Sequence, residues 1–371
     1  MCGMKVIILK NNLKEAIDIA YRGISENSKL PILKNFLIKA KNNKLVFYST
    51  NLEIGVISSV SAKIIEEGEI TVLASLFSSI VSNLSSERLD LQKNNMVLEI
   101  KADQYEIEIP LSLVEDFPII PDLENKKNFI VINSEIFIGA LNQVIPAIQF
   151  SEIRPEISGL LFISDPDLIT FVGTDSFRLA LKKISKNLFT SNFESGFKTI
   201  IPLRTIQEIP KIFKKNEEIK CFFDETQVLF QGDTTSIISR VVSGTFPDYK
   251  TIIPENFETE IETDKSELIN ALKLSGTVNQ IVSEIKLNVE SGKKNFEILS
   301  SEKSSGKTKI LLPSKIKGNS AKTLFNWRYF IDGLKSFTED EIIIGLNGDS
   351  RPAMIHSKDI SFTYIVMPVK E

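Results

Sequence analysis

The sequence predicts an α+β protein made of three repeated domains, each with two helices packed on antiparallel sheets. A helical pattern of apolar residues recurs at the start and the middle of each third of the chain, and short strand-like runs fill the intervals. A Phe-Pro motif followed by a further Pro recurs where the first two thirds end. A chain of 371 residues, 42% apolar and 25% charged, has the length and composition of two or three globular domains.

The first helix of each repeat has the same apolar core. A large apolar residue is followed three positions later by Ala and then by Ile or Leu, which places all three on one helix face. The equivalent large residues are Leu13, Phe137 and Leu268. The middle one of these helices is expected to span Ser134 to Gln149.

A second helix is expected halfway through each repeat, and three strands are expected after every helix. The three apolar series with helical spacing are Leu73, Leu76, Phe77, Ile80 and Leu84, then Ile206, Ile209 and Phe213, then Phe330, Leu334 and Phe337. The repeating order is therefore helix, three strands, helix, three strands.

Proline-rich joins separate the repeats. They lie at Phe117 to Pro121 and at Phe246 to Pro254. Prolines interrupt both helices and sheet ladders, so we place the domain boundaries here. The expected domains are residues 1–125, 126–253 and 254–371.

The residues that enzymes need for chemistry are scarce. The sequence has neither a Gly-x-x-x-x-Gly-Lys-Ser/Thr phosphate loop nor a Gly-x-Gly-x-x-Gly motif. His356 is the single histidine, and its place in a predicted strand favours a structural role over catalysis. Cys2 and Cys221 cannot form a thiolate zinc site or a disulfide framework. We therefore expect a non-catalytic protein with no cofactor and no metal.

The location of the protein is expected to be cytoplasmic. The N-terminus has no apolar signal segment, and no run approaches the roughly 18 uncharged apolar residues of a membrane span. Few cysteines are typical of a reducing compartment. Met1 to Gly3 could be native or a cloning remnant.

Basic residues lie on or beside the predicted helices although the net charge is −4. They are Lys10, Lys14, Arg22, Lys29, Arg154, Arg204, Lys211, Lys214, Lys215, Lys273, Arg328 and Lys335. One interpretation is a set of ordinary solvated helix faces, and the other is a surface for a polyanion. The helix from Ser134 has no basic residue, which argues against a continuous basic stripe.

Four motifs in order resemble the bacterial DNA polymerase III beta subunit family, the replicative sliding clamps. They are Leu30 to Asn35, Gly173 to Ala180, Phe246 to Tyr249 and Tyr364 to Val369. The resemblance covers essentially the whole chain. It implies three DNA-clamp domains and a head-to-tail homodimer that forms a closed ring around duplex DNA. In that ring the helices line the hole and the basic residues just named face the DNA. Their attraction to the DNA would not depend on its base sequence.

The resemblance also implies two protein-binding surfaces. The dimer interface would pair the last strand of the first domain with a strand and helix of the partner's third domain, at Tyr105, Ile107 and Leu274. Ordinary core packing is the alternative for these three residues. A hydrophobic groove would bind short peptides of the DNA polymerase III alpha subunit, the clamp loader and repair proteins. Its residues would be Thr174, Arg178, Leu179, Pro247, Ile252, Met367, Pro368 and Val369.

Three positions depart from the family pattern and bear on the peptide preference of the groove. Ser176 and Phe177 stand where Gly-His is frequent, and Thr251 stands where Arg or Lys is frequent. Phe177 has the alternative of being a core residue, because it lies in a predicted strand.

Two other functions are compatible with parts of this reasoning. One is a peptide-binding scaffold of repeated domains without a DNA function. The other is a nuclease or transferase, for which the sequence offers no candidate residues.

Overall fold

The computed structural model describes residues 3–123, 126–278, 283–302 and 306–369. Within them each repeat contains nine strands and two helices. The first repeat consists of β1 (Lys5–Leu9), α1 (Lys10–Ala20), β2 (Asn35–Lys41), β3 (Lys44–Thr50), β4 (Ile54–Ser61), β5 (Lys63–Glu66), β6 (Gly68–Leu73), α2 (Ala74–Asn83), β7 (Arg88–Asn94), β8 (Val97–Ala102) and β9 (Tyr105–Ser112).

The second repeat has the same order of elements. It consists of β10 (Phe129–Asn133), α3 (Ser134–Val144), β11 (Gly159–Asp165), β12 (Leu168–Thr174), β13 (Arg178–Ser185), β14 (Phe189–Ser191), β15 (Phe197–Pro202), α4 (Leu203–Ile212), β16 (Glu218–Phe223), β17 (Gln227–Gln231) and β18 (Thr235–Arg240).

The third repeat follows the same plan again. It consists of β19 (Thr259–Asp264), α5 (Lys265–Val278), β20 (Glu284–Val289), β21 (Asn295–Glu302), β22 (Gly306–Pro313), β23 (Lys315–Gly318), β24 (Ala321–Asn326), α6 (Trp327–Lys335), β25 (Glu341–Leu346), β26 (Ala353–His356) and β27 (Phe362–Val366).

One backbone hydrogen bond recurs at the start of the first helix of each repeat. The first residue of that helix donates its N–H to a carbonyl just before the strand that follows the second helix. The three bonds join Lys10 to Glu87 (2.8 Å), Ser134 to Glu217 (2.9 Å) and Lys265 to Asp340 (2.8 Å). The internal repetition seen in the sequence is therefore repeated in the backbone geometry.

The predicted order of elements is incomplete in two respects. A strand precedes the first helix of every repeat, and five strands rather than three lie between the two helices. Leu73, assigned above to a helix, ends β6, and α2 begins after it. Short strands that run directly into a helix leave no turn residues to mark the change of period.

The helix predicted from Ser134 to Gln149 is shorter than expected. It ends at Val144, and Ile145–Ala147 forms a 3₁₀ turn that contains Pro146. Proline lacks the N–H that a continuing helix would need and clashes with the preceding turn.

The chain forms two compact units. The first comprises the described residues within 1–135, 190–193 and 207–241, and the second those within 136–189, 194–206 and 242–371. The central repeat contributes to both, which a division into sequence thirds does not show.

In the first unit a sheet continues from one repeat to the next. Its order is β14-β10-β16-β17-β18-β4-β3-β2-β6-β9-β8-β7-β1-β5. Strand β18 pairs antiparallel with β4, Ile237 opposite Val56. The core of the N-terminal repeat packs one face of α1 and α2 onto this sheet through Leu13, Ile17, Phe77 and Val81.

The second unit has two sheets. Their orders are β15-β11-β12-β13-β27-β26-β25-β19-β23 and β22-β21-β20-β24. Helix α5 buries Leu268, Ala271 and Leu272, and α6 buries Phe330 and Leu334. Within the described part of the chain, no helix is long and apolar enough to cross a membrane.

Candidate functional site

An apolar cavity of about 180 Å³ lies in the second unit. Its lining consists of Arg154, Ile157, Thr174, Ser176, Arg178, Leu179, Phe246, Pro247, Asp248, Tyr249, Ile252, Ile365 and Met367. Six of the residues expected in the peptide groove therefore meet here: Thr174, Arg178, Leu179, Pro247, Ile252 and Met367. Pro368 and Val369 follow Met367, and the Val369 N–H donates to the Leu324 carbonyl (2.8 Å).

The wall of this cavity is formed by two paired strands. Leu179 of β13 lies opposite Ile365 of β27, and both side chains are 1% exposed. The segment after β18 covers them, with Phe246 and Tyr249 in edge-to-face contact at 6.5 Å. Burial is the main cause of the raised pKa of Tyr249, so this phenol stays neutral at physiological pH.

The 3₁₀ turn at the groove, Tyr249–Ile252, is begun by Asp248. Its carboxylate accepts a hydrogen bond from the Lys250 N–H (3.2 Å). Asp is favoured at such positions because its short side chain satisfies an otherwise free N–H. The motif Phe246 to Tyr249 thus serves to position an apolar wall and an acidic rim.

Arg178 is held by partners within the chain. Its Nε donates to Asp175 (2.8 Å), its Nη1 donates to Asp332 (2.5 Å), and the guanidinium lies over the Tyr329 ring at 4.5 Å. The Arg178 side chain is 11% exposed. These contacts hold the Arg178 side chain in place, so it rigidifies the groove wall and does not reach outward to a ligand.

Thr174 likewise organises the backbone around Arg178. Its hydroxyl donates to the Arg178 carbonyl (2.7 Å) and accepts from the Ser176 N–H (3.1 Å). Asp175 accepts from the N–H groups of Phe177 and Arg178 (2.9 and 3.0 Å). These bonds hold Ser176 at a φ of 79°, a conformation that favours glycine.

Phe177 is not a core residue. Its side chain is 60% exposed and lies 6.3 Å from the Tyr329 ring in a stacked arrangement. The interpretation of Phe177 as core was wrong because residues 175–177 form a bend between β12 and β13, outside any strand.

Arg154, expected to face DNA, lines the same cavity. Its Nη1 donates to Ser176 (2.8 Å) and its Nε to Glu156 (3.2 Å). Sequence reasoning placed it with the helix cations because it follows α3. Ile157, Asp248 and Ile365 were also missed. Asp248 and Ile365 lie within the motifs quoted above, but a motif does not show which of its side chains line a cavity.

A second, open depression of about 390 Å³ lies in the first unit. Its lining consists of Asn11, Lys14, Glu15, Asp18, Ile19, Arg22, Lys211, Ile212, Phe213 and Lys214. Cations from α1 and from the end of α4, more than 180 positions apart in sequence, thus share one surface. Lys214 forms an ion pair with Glu15 across it, and Lys211 pairs with Glu208 at 2.9 Å.

The other predicted DNA-facing residues vary in environment. Lys10 donates to the carbonyls of Ser82 and Leu84 at the end of α2, which is a structural role. Arg328 lies over the Trp327 ring at 4.6 Å and donates to Ser283 (3.1 Å). The side chains that are exposed at the surface are Lys29, Arg204, Lys215, Lys273, Arg328 and Lys335.

The residues expected at a dimer interface differ in exposure. Tyr105 is 41% exposed and Ile107 is half-buried on β9, while Leu274 on α5 is 62% exposed. Core packing is thus a poor description of Tyr105 and Leu274.

Groups capable of catalysis or metal binding are sparse. His356 lies in β26, stacks on Phe257 at 5.9 Å, and has Nδ1 2.9 Å from the Ser357 carbonyl. Burial raises the pKa of the Cys221 thiol, so it is not a nucleophile. Among the described residues no group of three or more His, Cys, Asp or Glu side chains could hold a metal ion.

Models of one protein family match the chain in three consecutive pieces. The N-terminal domain of the DNA polymerase III beta subunit matches residues 4–121, the central domain residues 131–248, and the C-terminal domain residues 250–370.

Curated relatives and solved structures point to the same family. A beta sliding clamp of Chlamydia muridarum is 25% identical over 369 residues, with 99% of each chain covered. That of Bacillus subtilis is 26% identical over 384 residues, with 99% of this chain and 100% of the relative covered.

Among solved structures, the Bacillus subtilis DNA polymerase sliding clamp has a TM-score of 0.94 at 24% identity, with full coverage of both chains. The Thermotoga maritima DNA polymerase III beta subunit has a TM-score of 0.91 at 25% identity, covering 99% of this chain and 100% of that one. The chain belongs to the DNA polymerase III beta subunit family, the beta sliding clamps, which are non-catalytic processivity factors of DNA polymerase III.

Proposed function

We propose that this protein is a bacterial sliding clamp that closes around duplex DNA as a head-to-tail homodimer and tethers the replicative polymerase. It acts in the cytoplasm, at the nucleoid. The domains are residues 1–125, 126–253 and 254–371. Processivity arises from encirclement, which needs neither base recognition nor tight binding.

The observation that carries this proposal is the depression that joins cations of two repeats. Lys14, Arg22, Lys211 and Lys214 lie on one surface next to neutral and acidic side chains. Such a surface attracts phosphates weakly and in a salt-dependent way, without reading sequence. Weak attraction suits a protein that must slide. We assign the same attraction of phosphates to the other exposed basic residues, Lys29, Arg204, Lys215, Lys273, Arg328 and Lys335. Lys10 and Arg154 are better explained by their intramolecular contacts.

The apolar cavity in the second unit is the proposed site for peptides of the polymerase alpha subunit, the clamp loader and repair proteins. Its mainly apolar wall offers burial to leucine-like or aromatic side chains, and flexible Met367 can adapt to related sequences. Arg154 and Asp248 at the rim provide groups of opposite charge for orientation.

The dimer would bring β9 of one copy, with Tyr105 and Ile107, to the third repeat of the other, with Leu274. Exposed apolar side chains on edge elements are typical of association surfaces. A heterologous contact that closes with two copies leaves no free ends.

Retention on DNA tests encirclement directly. The protein, loaded onto a nicked circular duplex by a clamp loader, is expected to remain bound through gel filtration and to be lost once a restriction enzyme linearises the circle. Equal retention on circular and linear DNA would refute encirclement. The peptide-binding scaffold without a DNA function predicts retention on neither.

A further inference from the structure

The turn that borders the apolar cavity has a counterpart in the first unit. The cavity turn joins β12 to β13 over residues 174–178, and its counterpart joins β3 to β4 over residues 50–54. In both, the hydroxyl of the first threonine donates to the carbonyl of the fifth residue and accepts from the N–H of the third. The side chain of the second residue accepts from the N–H groups of the fourth and fifth. The third residue has a positive φ in each turn, 75° at Leu52 and 79° at Ser176.

The strands that follow the two turns also pair in the same register. Leu179 of β13 lies opposite Ile365 of β27, and at the equivalent place Gly55 of β4 lies opposite Ile238 of β18. Gly55 and Leu179 also lie opposite the threonine that begins their respective turns. The first unit therefore contains a counterpart of the cavity wall, formed by Gly55 and Ile238, with a glycine in place of Leu179.

The side chain of Ile120 lies where a side chain at position 55 would be. A Cβ atom added to Gly55 would be 2.6 Å from Ile120 Cγ2 and 2.9 Å from Ile238 Cγ2. Carbon atoms in contact normally lie about 3.5–4.0 Å apart, so glycine is the residue that leaves room for Ile120 here. Ile120 packs against the apolar cluster that contains Ile238 and Leu229. The counterpart wall is thus covered by a side chain of the same molecule.

The two proline-rich joins cover the two walls differently. Both begin with Phe-Pro, but the next proline follows after two residues in the first join and after six in the second. The longer join forms the 3₁₀ turn Tyr249–Ile252, and the cavity of about 180 Å³ lies between this join and its wall. Residues 118–121 of the shorter join contain no such turn, and Ile120 lies directly on the counterpart wall.

Leu52 gives the counterpart turn an exposed apolar side chain. It takes the place of Ser176, which lines the cavity in the second unit. The Leu52 side chain is 49% exposed although its backbone has a positive φ, which is rare for a bulky residue. A strained conformation of this kind persists only where the surrounding structure fixes it, as the bonds to the Thr50 and Asn51 side chains do here. The first unit thus keeps the rim geometry of a groove.

We propose that Ile120 closes a second peptide groove in the first unit, so that each chain accepts clamp-binding peptides only in the second unit. This inference rests on the proposed peptide site and identifies a residue that limits the number of peptides per chain. Ile120 is a branched apolar side chain, the kind that the open groove is proposed to bury. Because it is part of the chain, its effective concentration at the wall is high and a free peptide competes poorly with it.

Peptide stoichiometry, measured on the full chain by isothermal titration calorimetry, tests the proposal. The probe is a synthetic clamp-binding peptide of the alpha subunit. We expect about one peptide per wild-type chain and about two per chain of Ile120→Ala, with the affinity of the first unit raised at least about tenfold because its site is no longer closed in most molecules. Ile119→Ala is the matched control: it truncates the same residue type at the neighbouring position, which is 93% exposed, and should still bind one.

Gly55→Ala disturbs the same contact from the strand side. Its added Cβ displaces Ile120 Cγ2, so this variant is also expected to bind a second peptide. A peptide that carries a benzophenone group should label the first unit of both variants and only the second unit of the wild type. Urea unfolding followed by circular dichroism checks that each variant is folded, and either variant alone decides the question.

The outcomes separate this inference from the proposed peptide site. One peptide per chain in a folded Ile120→Ala or Gly55→Ala variant, with labelling confined to the second unit, would overturn the closure by Ile120 and leave the open groove intact. Two peptides on the wild type would overturn it as well. A wild type that binds no peptide at all would refute the proposed peptide site and, with it, this inference.

Discussion

At the scale of single residues, the groove depends on a buried ion pair. The Asp175 side chain is 3% exposed and is compensated by Arg178, which also contacts the more exposed Asp332. Removing one member of such a pair leaves a charge without compensation in a region of low dielectric.

Arg178→Ala is expected to lower the free energy of unfolding of the second unit by about 2–4 kcal/mol, because Asp175 loses its counterion. Fluorescence of Trp327, the single tryptophan, reports this unit during urea unfolding. Arg22→Ala, a truncation of an exposed arginine in the first unit, is the control and should leave the Trp327 transition unchanged. An equal midpoint for Arg178→Ala and wild type would contradict the structural role.

Met367 lines the apolar cavity that is the proposed peptide site. Met367→Ala is expected to weaken binding of a clamp-binding peptide of the alpha subunit by roughly 1–2 kcal/mol, since an apolar anchor is lost. Isothermal titration calorimetry measures this change, and Met96→Ala, at an exposed turn of the first repeat, is the matched control. An unaltered affinity for Met367→Ala would remove this side chain from the binding site.

At the scale of elements, the three repeats use the first residue of their first helix differently. Lys10 on α1 and Lys265 on α5 donate to carbonyls at the ends of α2 and α6, Leu84 and Phe337. In the central repeat Ser134 occupies this place and its hydroxyl accepts from the Glu217 N–H (3.2 Å). A cation there compensates the negative end of the neighbouring helix, so not every helix lysine is available to DNA.

The cations at the end of α4 are exposed by contrast, and the ion pairs of Lys211 with Glu208 and of Lys214 with Glu15 lie at the surface. We expect a triple variant, Lys211→Glu, Lys214→Glu and Lys215→Glu, to bind duplex DNA more weakly at low salt. The slope of log affinity against log salt concentration should fall in magnitude by about one per lost phosphate contact. Fluorescence anisotropy of a labelled duplex across a NaCl series measures both. The exposed Lys293, Lys294 and Lys317 of the third repeat, reversed together, supply a control with the same charge change. Equal slopes for the two triple variants would exclude a specific role for α4.

At the scale of the whole molecule, a net charge of −4 coexists with a basic depression. Composition averages over the surface, whereas attraction of DNA depends on where the charges lie.

The continuation of the sheet from β18 to β4 through backbone hydrogen bonds joins two repeats within one unit. Such pairing leaves fewer free edges than three separate domains would have.

The assembled protein is expected to be a dimer. Light scattering after gel filtration should give twice the chain mass of 41.7 kDa, since a ring of three-domain chains closes only with a partner. A single species at 41.7 kDa across micromolar concentrations would contradict the ring.

The sequence alone determined the triplication, the faces of the helices and the motifs that line the groove. Apolar spacing is a local property, so Leu13, Phe137 and Leu268 predict their helices without knowledge of the rest of the chain. The family resemblance also suggested Thr174, Leu179, Pro247 and Met367 through short motifs, and these four residues line one cavity.

Only the tertiary structure decided which side chains meet. Lys14 and Lys214 line the same depression, and Arg154 lines the apolar cavity. Phe177 is exposed, and Lys10 donates to a carbonyl at the end of α2. These positions depend on strand pairings between distant segments, such as β18 with β4 and β13 with β27. Pairing of that kind is set by packing and hydrogen bonding over the whole sheet, which local periodicity does not encode.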